Sequence, residues 1–322
     1  MLKNHNLFRH YMVRALITDP VDEYIVNELG RHGVIVDYKP GISKDDLLRI
    51  VGDYEILVVR SRTKVTREVI DAAGKLKVIA RAGVGLDNID VNYARSRGIE
   101  VINAPEGSTQ SVAELAIGLM ITAARLVALQ DRLVKGGDWP KGKFMGTELF
   151  GKVLGIIGFG RIGQRVAELA RAIGMKVQAY DIVDMRDRAV KLGVDFVDFE
   201  TLIRSSDFIT IHVSLTPNAK RMIGERELQM MKDGVIIINT SRGEVIDTRA
   251  LLKALNDGKV AAAALDVLEN EPPREPWEIE LVKHPRVIIT PHIGAETREA
   301  QRRIAEILVN KVVNYIMSNN IK

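Results

Sequence analysis

Short runs of apolar and β-branched residues alternate, over the first third of the chain, with stretches whose apolar positions recur every three or four residues. The runs fall at residues 13–17, 34–37, 56–60, 78–80 and 100–102, and segments such as 45–51 and 67–73 have the helical period. Strand and helix in alternation predict parallel strands joined by crossover helices. Around Asn103, Ala104 and Pro105 the pattern breaks, and one long helix is predicted from Ser111 to about Gly136, with Ser111 three residues ahead of Glu114 as its cap. A second strand-and-helix series runs over 153–290. An amphipathic helix from about Arg298 to Met317 follows it, with Ile304, Ile307, Leu308, Val312 and Ile316 on its apolar face. No repeat of solenoid length interrupts the scheme.

Composition bounds what such a chain can do. With 322 residues and 46% hydrophobic content there is enough chain for two domains with separate cores. Lysine and arginine (46) exceed aspartate and glutamate (42) by four, and charges of both signs are interspersed. The basic balance therefore reads as surface chemistry, with no nucleic-acid partner expected. The absence of cysteine excludes disulfides, thiolate metal sites and a cysteine nucleophile, and no metal is expected. The longest uncharged apolar stretch lies between Glu114 and Arg125 and holds ten residues, against the roughly 20 that a membrane span needs. No membrane association is expected. The first twelve residues lack the apolar core of a secretion signal, so a cytoplasmic location is the expectation. Because strand-like patterning begins at Val13, residues 1–11 are expected to lack order, or the chain to start at Met12.

The first chemistry-bearing motif is Gly158-Phe159-Gly160-Arg161-Ile162-Gly163. A bare G-x-G-x-x-G is a weak signal, and its context decides. Residues 153–157 form a continuous buried-strand run, 164–173 have helical period, and 175–180 form a second strand run ending at Asp181, eighteen residues past Gly163. That is a βαβ nucleotide-binding unit: Gly158 makes the tight turn, Gly160 lets backbone approach a pyrophosphate, and Gly163 lets the helix pack against the strand. The positive end of the helix then faces the phosphates. A carboxylate at Asp181 accepts both ribose hydroxyls of NAD and repels the 2′-phosphate of NADP, so NAD is the predicted cofactor.

Three polar residues stand just past further strand runs. Arg242 follows 235–240, Glu271 follows 260–267, and His292 follows 287–290. Each alone is ordinary, but together on one dinucleotide-binding sheet they supply what hydride transfer from a hydroxy acid requires. Oxidation needs a base that titrates near neutral pH, which points to His292. Glu271 beside it would orient the ring and stabilise its protonated form. Arg242 would bind the substrate carboxylate and polarise the carbonyl in the reverse direction.

At this point the sequence resembles the D-isomer-specific 2-hydroxyacid dehydrogenases, from about Val13 to Tyr315. The resemblance lies in Val59-Arg60-Ser61-Arg62-Thr63, in Arg81-Ala82-Gly83-Val84-Gly85-Leu86-Asp87-Asn88, in Ser111-Val112-Ala113-Glu114 and in the glycine motif. It continues through Asn239-Thr240-Ser241-Arg242-Gly243, Leu265-Asp266-Val267 with Glu271-Pro272, and Thr290-Pro291-His292-Ile293-Gly294. It implies an α/β protein of two doubly wound parallel-sheet domains with the active site in the cleft between them. A discontinuous flavodoxin-like substrate domain would comprise 1–107 plus 293–322, and a Rossmann NAD-binding domain 108–292. Arg242, Glu271 and His292 match the family's catalytic arginine, glutamate and histidine. Arg161, Ile162, Asp181, Thr240, Asp266 and Gly294 match cofactor contacts, with Asp266 expected at the nicotinamide amide. His212, Thr216 and Ser241 are expected in the same groove. The amides of Val84 and Gly85 resemble a second carboxylate clamp, and the helix from Ser111 resembles a homodimer interface.

Within the family, Arg60, Arg62 and Arg81 match positions near a phosphate, and a doubly charged phosphate favours guanidinium groups. The resemblance therefore implies NAD-dependent oxidation of 3-phosphoglycerate, the first step of serine synthesis. A glyoxylate or hydroxypyruvate reductase is the alternative with the same chemistry, and an NAD(H)-sensing binding protein is the alternative of another class. Proline is common in the family where Ser214 stands, and the residues Ala295 and Glu296 also depart from its usual pattern. The chain extends thirty residues past His292, too few for the regulatory domain associated with serine inhibition, so feedback by that route is not expected.

Overall fold

Strands of two to six residues pair in parallel throughout two separate sheets of the computed structural model, which describes residues 13–319 and 321. The expectations for residues 1–11 and Met12 lie outside the described residues. The chain divides into two units, one of residues up to Ser108 together with those from Ala295 onward, the other Thr109–Gly294.

The first unit is built on β1 (Arg14–Ile17), β2 (Ile35–Tyr38), β3 (Ile56–Val59), β4 (Val78–Arg81) and β5 (Glu100–Asn103), in the order β2-β1-β3-β4-β5. Successive strand residues point to opposite faces, and on the central strands β1, β3 and β4 both faces are covered, while the edge strand β2 stays partly exposed. Ala15, Ile17, Ile56, Val58, Val78 and Ala80 pack against the helices Glu23–Arg31 and Arg298–Ser318. Leu16, Leu57, Val59 and Ile79 pack against Lys44–Ile50, Arg67–Ala72 and Val91–Ser96. The last helix belongs here because its apolar stripe, Ile304, Leu308, Val312 and Ile316, is fully used on this sheet. Each such buried side chain is worth roughly 1.5–3 kcal/mol. Lys311 also donates to the carbonyl of Asn103 at 3.1 Å, and Arg303 to that of Gly107 at 3.1 Å.

The second unit holds β6 (Val153–Ile157), β7 (Lys176–Tyr180), β8 (Asp195–Phe196), β9 (Phe208–Ile211), β10 (Val235–Asn239), β11 (Val260–Leu265) and β12 (Val287–Ile289), in the order β12-β11-β10-β9-β6-β7-β8. Strand order reverses between β6 and β9, so the loops after those strands diverge and leave a crevice at their carboxyl ends. Leu154, Ile156, Phe208 and Ile238 face the helices Thr109–Ala124 and Arg161–Ala172, while Ile157, Ile209, Ile211 and Ile237 face Thr248–Asn256 and its neighbours. Both sheets are the doubly wound parallel type that the patterning and the resemblance anticipate.

The long helix expected from Ser111 to Gly136 is instead two, Thr109–Ala124 and Val127–Lys135, bent by 65°. Leu126 adopts φ 52°, the left-handed region that ends a helix, and the amide of Thr147 donates to the carbonyl of Ala124 at 2.9 Å. The breaking partner comes from twenty-odd residues downstream, so local helix propensity carries no sign of it. The expected cap is likewise corrected: Ser111 lies inside the first helix and is buried. Among the described residues no single helix is long and apolar enough to cross a membrane, and no cluster of metal-binding side chains occurs.

Candidate active site

The turn after β6 is set by close approach of backbone to backbone. Gly158 has φ 93°, and a Cβ on it would stand 2.5 Å from the carbonyl oxygen of His212; one on Gly163 would stand 2.1 Å from the oxygen of Gly158. Neither position admits a side chain, which is how the helix beginning at Arg161 is brought against the turn. At Gly160 a Cβ would meet nothing within 4 Å, so open space faces the helix N-terminus. Arg161 opens the helix, and Ile162 packs on the sheet. Asp181 follows β7. Its carboxylate accepts from the amide of Phe159 at 2.7 Å and from that of Val183 at 3.0 Å, which fixes it beside the glycine turn with acceptor positions to spare.

His212, after β9, lies between two hydroxyls, with Nε2 at 2.9 Å from Thr210 Oγ1 and Nδ1 at 3.5 Å from Thr240 Oγ1. Loss of water around the ring pushes its pKa down to about 3, so it is neutral at any working pH. Thr216 is exposed and its hydroxyl caps the turn to Ala219 at 3.2 Å.

Arg242, Glu271 and His292, dispersed over fifty residues, converge at the ends of β10, β11 and β12. Asn239 shapes the first loop: its Oδ1 accepts from the amide and hydroxyl of Ser241 at 3.0 and 2.8 Å, and its Nδ2 donates to the carbonyl of Arg242 at 2.9 Å. Gly243 then passes so close to the next loop that a Cβ would stand 1.9 Å from the carbonyl carbon of Leu268. That contact seats the Arg242 loop against the Glu271 loop. Nδ1 of His292 lies 2.8 Å from Oε2 of Glu271. Burial works to raise the Glu271 carboxyl, but the hydrogen bond and charge of His292, the amide of Leu268 and the charge of Arg242 outweigh it and hold the group below its ordinary value. A carboxylate only accepts, so Nδ1 carries the proton of the pair and Nε2 is directed elsewhere. The hydrogen bond to Glu271 raises the imidazole above 6.5 against the opposing effect of burial, with Asp266 adding to the rise and Arg242 reducing it.

The backbone beneath His292 is strained. Its φ of 55° lies in the left-handed region, which costs a residue with a side chain about 1–3 kcal/mol. Asp266, 1% exposed, holds that geometry. Its carbonyl accepts the amide of His292 at 2.9 Å. Its carboxylate accepts from Thr290 Oγ1 at 2.6 Å and from the amides of Ile293 and Gly294 at 2.8 and 2.9 Å. Asp266 thus fixes the loop that presents the imidazole.

In the first unit the residues singled out from the sequence gather at the carboxyl edge of their own sheet. Asp19, buried at the end of β1, accepts from the amides of Arg60 and Thr63 at 2.6 and 3.1 Å and from Thr63 Oγ1 at 2.7 Å. Arg62 donates its Nε to Asp19 at 3.2 Å and Nη2 to the carbonyl of Thr18 at 3.0 Å. Arg60 pairs with Glu296. The guanidinium of Arg81 lies over Gly83. Val84 and Gly85 follow, and no hydrogen bond within the described residues engages their amides.

These two constellations have a counterpart among known proteins. Residues 117–294 match the model of the D-isomer specific 2-hydroxyacid dehydrogenase, NAD binding domain. The chain belongs to the D-isomer specific 2-hydroxyacid dehydrogenases. It is 49% identical over 302 residues to a D-3-phosphoglycerate dehydrogenase of Archaeoglobus fulgidus, covering 94% of this chain and 57% of that relative. A hydroxypyruvate reductase of Thermotoga maritima is 47% identical, with 93% of this chain and 97% of the relative covered. Among solved structures, a glyoxylate reductase from Paecilomyes thermophila superposes with a TM-score of 0.87 at 32% identity over 95% of each chain. A D-lactate dehydrogenase from Aquifex aeolicus, complexed with NAD and lactic acid, reaches 0.83 at 32% identity over 95% of this chain and 96% of that one. The chain spans little more than half the length, 57%, of the phosphoglycerate dehydrogenases of A. fulgidus and Methanocaldococcus jannaschii that it matches.

The second unit therefore carries the family's NAD-binding domain, and its residues fit the cofactor: a glycine turn no side chain can enter, open space at the helix N-terminus and an anchored carboxylate at Asp181. Asp19, Asn239 and Glu296 join these residues without having been candidate site residues in the sequence. Asn239 was within reach, since an asparagine at the end of a strand run is apt to organise the turn that follows. Asp19 and Glu296 were not, because their partners lie 41 and 236 residues away.

Proposed function

We propose that this chain is an NAD-dependent dehydrogenase that oxidises the 2-hydroxyl of D-3-phosphoglycerate to give 3-phosphohydroxypyruvate, at the entry to serine synthesis. The observation that carries the chemistry is the 2.8 Å contact between His292 Nδ1 and Glu271 Oε2, with Arg242 near enough for its charge to act on both. His292 takes the hydroxyl proton at Nε2, and Glu271 stabilises the imidazolium that results. Arg242 binds the substrate carboxylate and, in the reverse direction, polarises the carbonyl. NAD, when bound, supplies the hydride acceptor. Gly158, Gly160, Gly163, Arg161 and Ile162 hold its pyrophosphate side, and Asp181 its ribose. His212, Thr216, Thr240, Ser241, Asp266 and Gly294 line the remaining groove. Residues up to Ser108 and from Ala295 onward form the substrate-binding unit, with the amides of Val84 and Gly85 clamping the carboxylate and Arg60, Arg62 and Arg81 nearest the phosphate.

The A. fulgidus and M. jannaschii relatives named D-3-phosphoglycerate dehydrogenase support the choice of substrate. Hydroxypyruvate reduction is the second reading, favoured by the T. maritima relative and by the pairing of Arg60 with Glu296 and of Arg62 with Asp19. An NAD(H)-sensing binding protein is disfavoured because all three reactive side chains are in place. The enzyme works as a cytoplasmic homodimer. Exposed apolar residues Val127, Val134, Trp139, Met145 and Phe150 cluster in sequence along and after the second helix of the bent pair, and support an interface there.

The test is NADH formation from D-3-phosphoglycerate, run beside D-glycerate, D-lactate and the L-isomers, with 3-phosphohydroxypyruvate, hydroxypyruvate and glyoxylate in reverse. The highest kcat/KM is expected for the phosphorylated substrate, and no NADH from the L-isomers. Higher efficiency with hydroxypyruvate than with 3-phosphohydroxypyruvate would assign the second reading instead.

A further inference from the structure

Glu278 is a carboxylate with no exposed surface, in the first turn of the helix Pro276–Lys283. A buried charge needs its hydrogen bonds made, and Glu278 has four donors. Oε1 accepts from the amide and the side-chain Nδ2 of Asn270, both at 3.0 Å, and Oε2 accepts from the amides of Arg274 and Glu275 at 2.9 and 3.0 Å. Capping of the helix accounts for the bond from Glu275 alone. The other three reach back around the preceding loop and tie its two sides to one rigid group. Between the tied residues, Asn270 and Arg274, sits Glu271.

We infer that Glu278 is a positioning residue, whose carboxylate staples the 270–274 loop so that Glu271 is held against Nδ1 of His292, an assignment that rests on the catalytic reading of those two residues. Burial works to raise the Glu278 carboxyl, but the donated amides outweigh it and keep it below its ordinary value, so the staple is charged throughout the working range. Glu271 itself is half exposed and, among the described residues, accepts from the amide of Leu268 at 3.2 Å and from His292. Its own contacts are too few to hold it, and the loop must do so. Glutamine at 278 keeps the size but turns two of the acceptor positions into donors, which then face amides.

The experiment is the pH dependence of kcat and kcat/KM for hydroxy-acid oxidation in the full chain, for the parent, E271Q, E278Q and N270A, with NADH affinity and thermal midpoint measured on each. The charged groups facing the imidazole are Glu271, Asp266 and Arg242. The parent should show an acid-side ionisation that E271Q moves to lower pH. E278Q should move it the same way and lower kcat by roughly tenfold to a hundredfold, more than E271Q, because a displaced Glu271 releases the orientation of the ring as well as its charge, with NADH affinity unchanged. N270A, which removes one of the four donors from a partly exposed position, should act in the same direction with a loss of roughly threefold to tenfold. It decides the matter if E278Q does not fold. A parental pH profile in the folded variant, with only a lower thermal midpoint, would leave Glu278 as a helix cap and overturn the inference. If E271Q itself leaves the acid-side ionisation in place, the catalytic reading fails and this inference falls with it.

Discussion

Replacing Glu271 by glutamine isolates one quantity, the charge beside His292. The amide oxygen of glutamine can still accept from Nδ1, so ring orientation and tautomer survive while the attraction for an imidazolium is lost. A hydrogen bond to a charged group contributes about 1.5–3 kcal/mol. The two side chains are 47% and 41% exposed, so solvent screening reduces the figure to about 1 kcal/mol. On the transition-state scale that is about a fivefold loss in kcat/KM at neutral pH. The direction with pH is also determined. Glu271 raises the His292 imidazole above 6.5, so the acid-side limb of the oxidation profile should move to lower pH in E271Q. Folding stability follows from the same pair. The raised imidazole contributes stability that is full below 6.5 and fades as pH rises through its folded value. The depressed carboxyl contributes above 4.5 and loses its contribution as pH falls through its own. The difference in thermal midpoint between parent and E271Q should therefore be largest between pH 4.5 and 6.5 and shrink on either side. Initial rates of NADH formation from pH 5 to 10, with calorimetry over the same range, measure both. An acid limb that stays in place, or moves upward, would refute the assigned roles.

Three further outcomes are expected. Gly163→Ala places a Cβ 2.1 Å from the oxygen of Gly158; overpacking of this kind costs about 1–3 kcal/mol, and fluorescence titration should show NADH binding at least several-fold weaker. Asp181→Ser should raise the NADP-to-NAD ratio of kcat/KM by roughly tenfold, equivalent to about 1.4 kcal/mol of removed repulsion, as read from parallel rate assays. Arg60→Ala should raise KM for phosphoglycerate more than about tenfold, the loss of a charged hydrogen bond, and leave glyoxylate turnover nearly unchanged; equal effects on both substrates would remove Arg60 from the phosphate site.

Strand positions, the nucleotide turn and the identities of Arg242, Glu271 and His292 were legible in the chain because each depends on local order: a period of two or 3.6, a glycine where a Cβ cannot stand, a polar residue just past a strand. The break at Leu126 was not, since it is made by the amide of Thr147 reaching the carbonyl of Ala124. Nor did any periodicity reveal that the last helix covers the first sheet. Its stripe would fit any apolar face, and only packing selects one.

The arginines make the same distinction at the scale of single side chains. By itself the sequence determined that three guanidinium groups stand at strand ends, where anions are bound. Only the tertiary structure decided that Asp19 engages Arg62 and that Glu296 reaches Arg60. A charged side chain carries no local mark of its partner, because a hydrogen bond is chosen by distance in space and not by position along the chain.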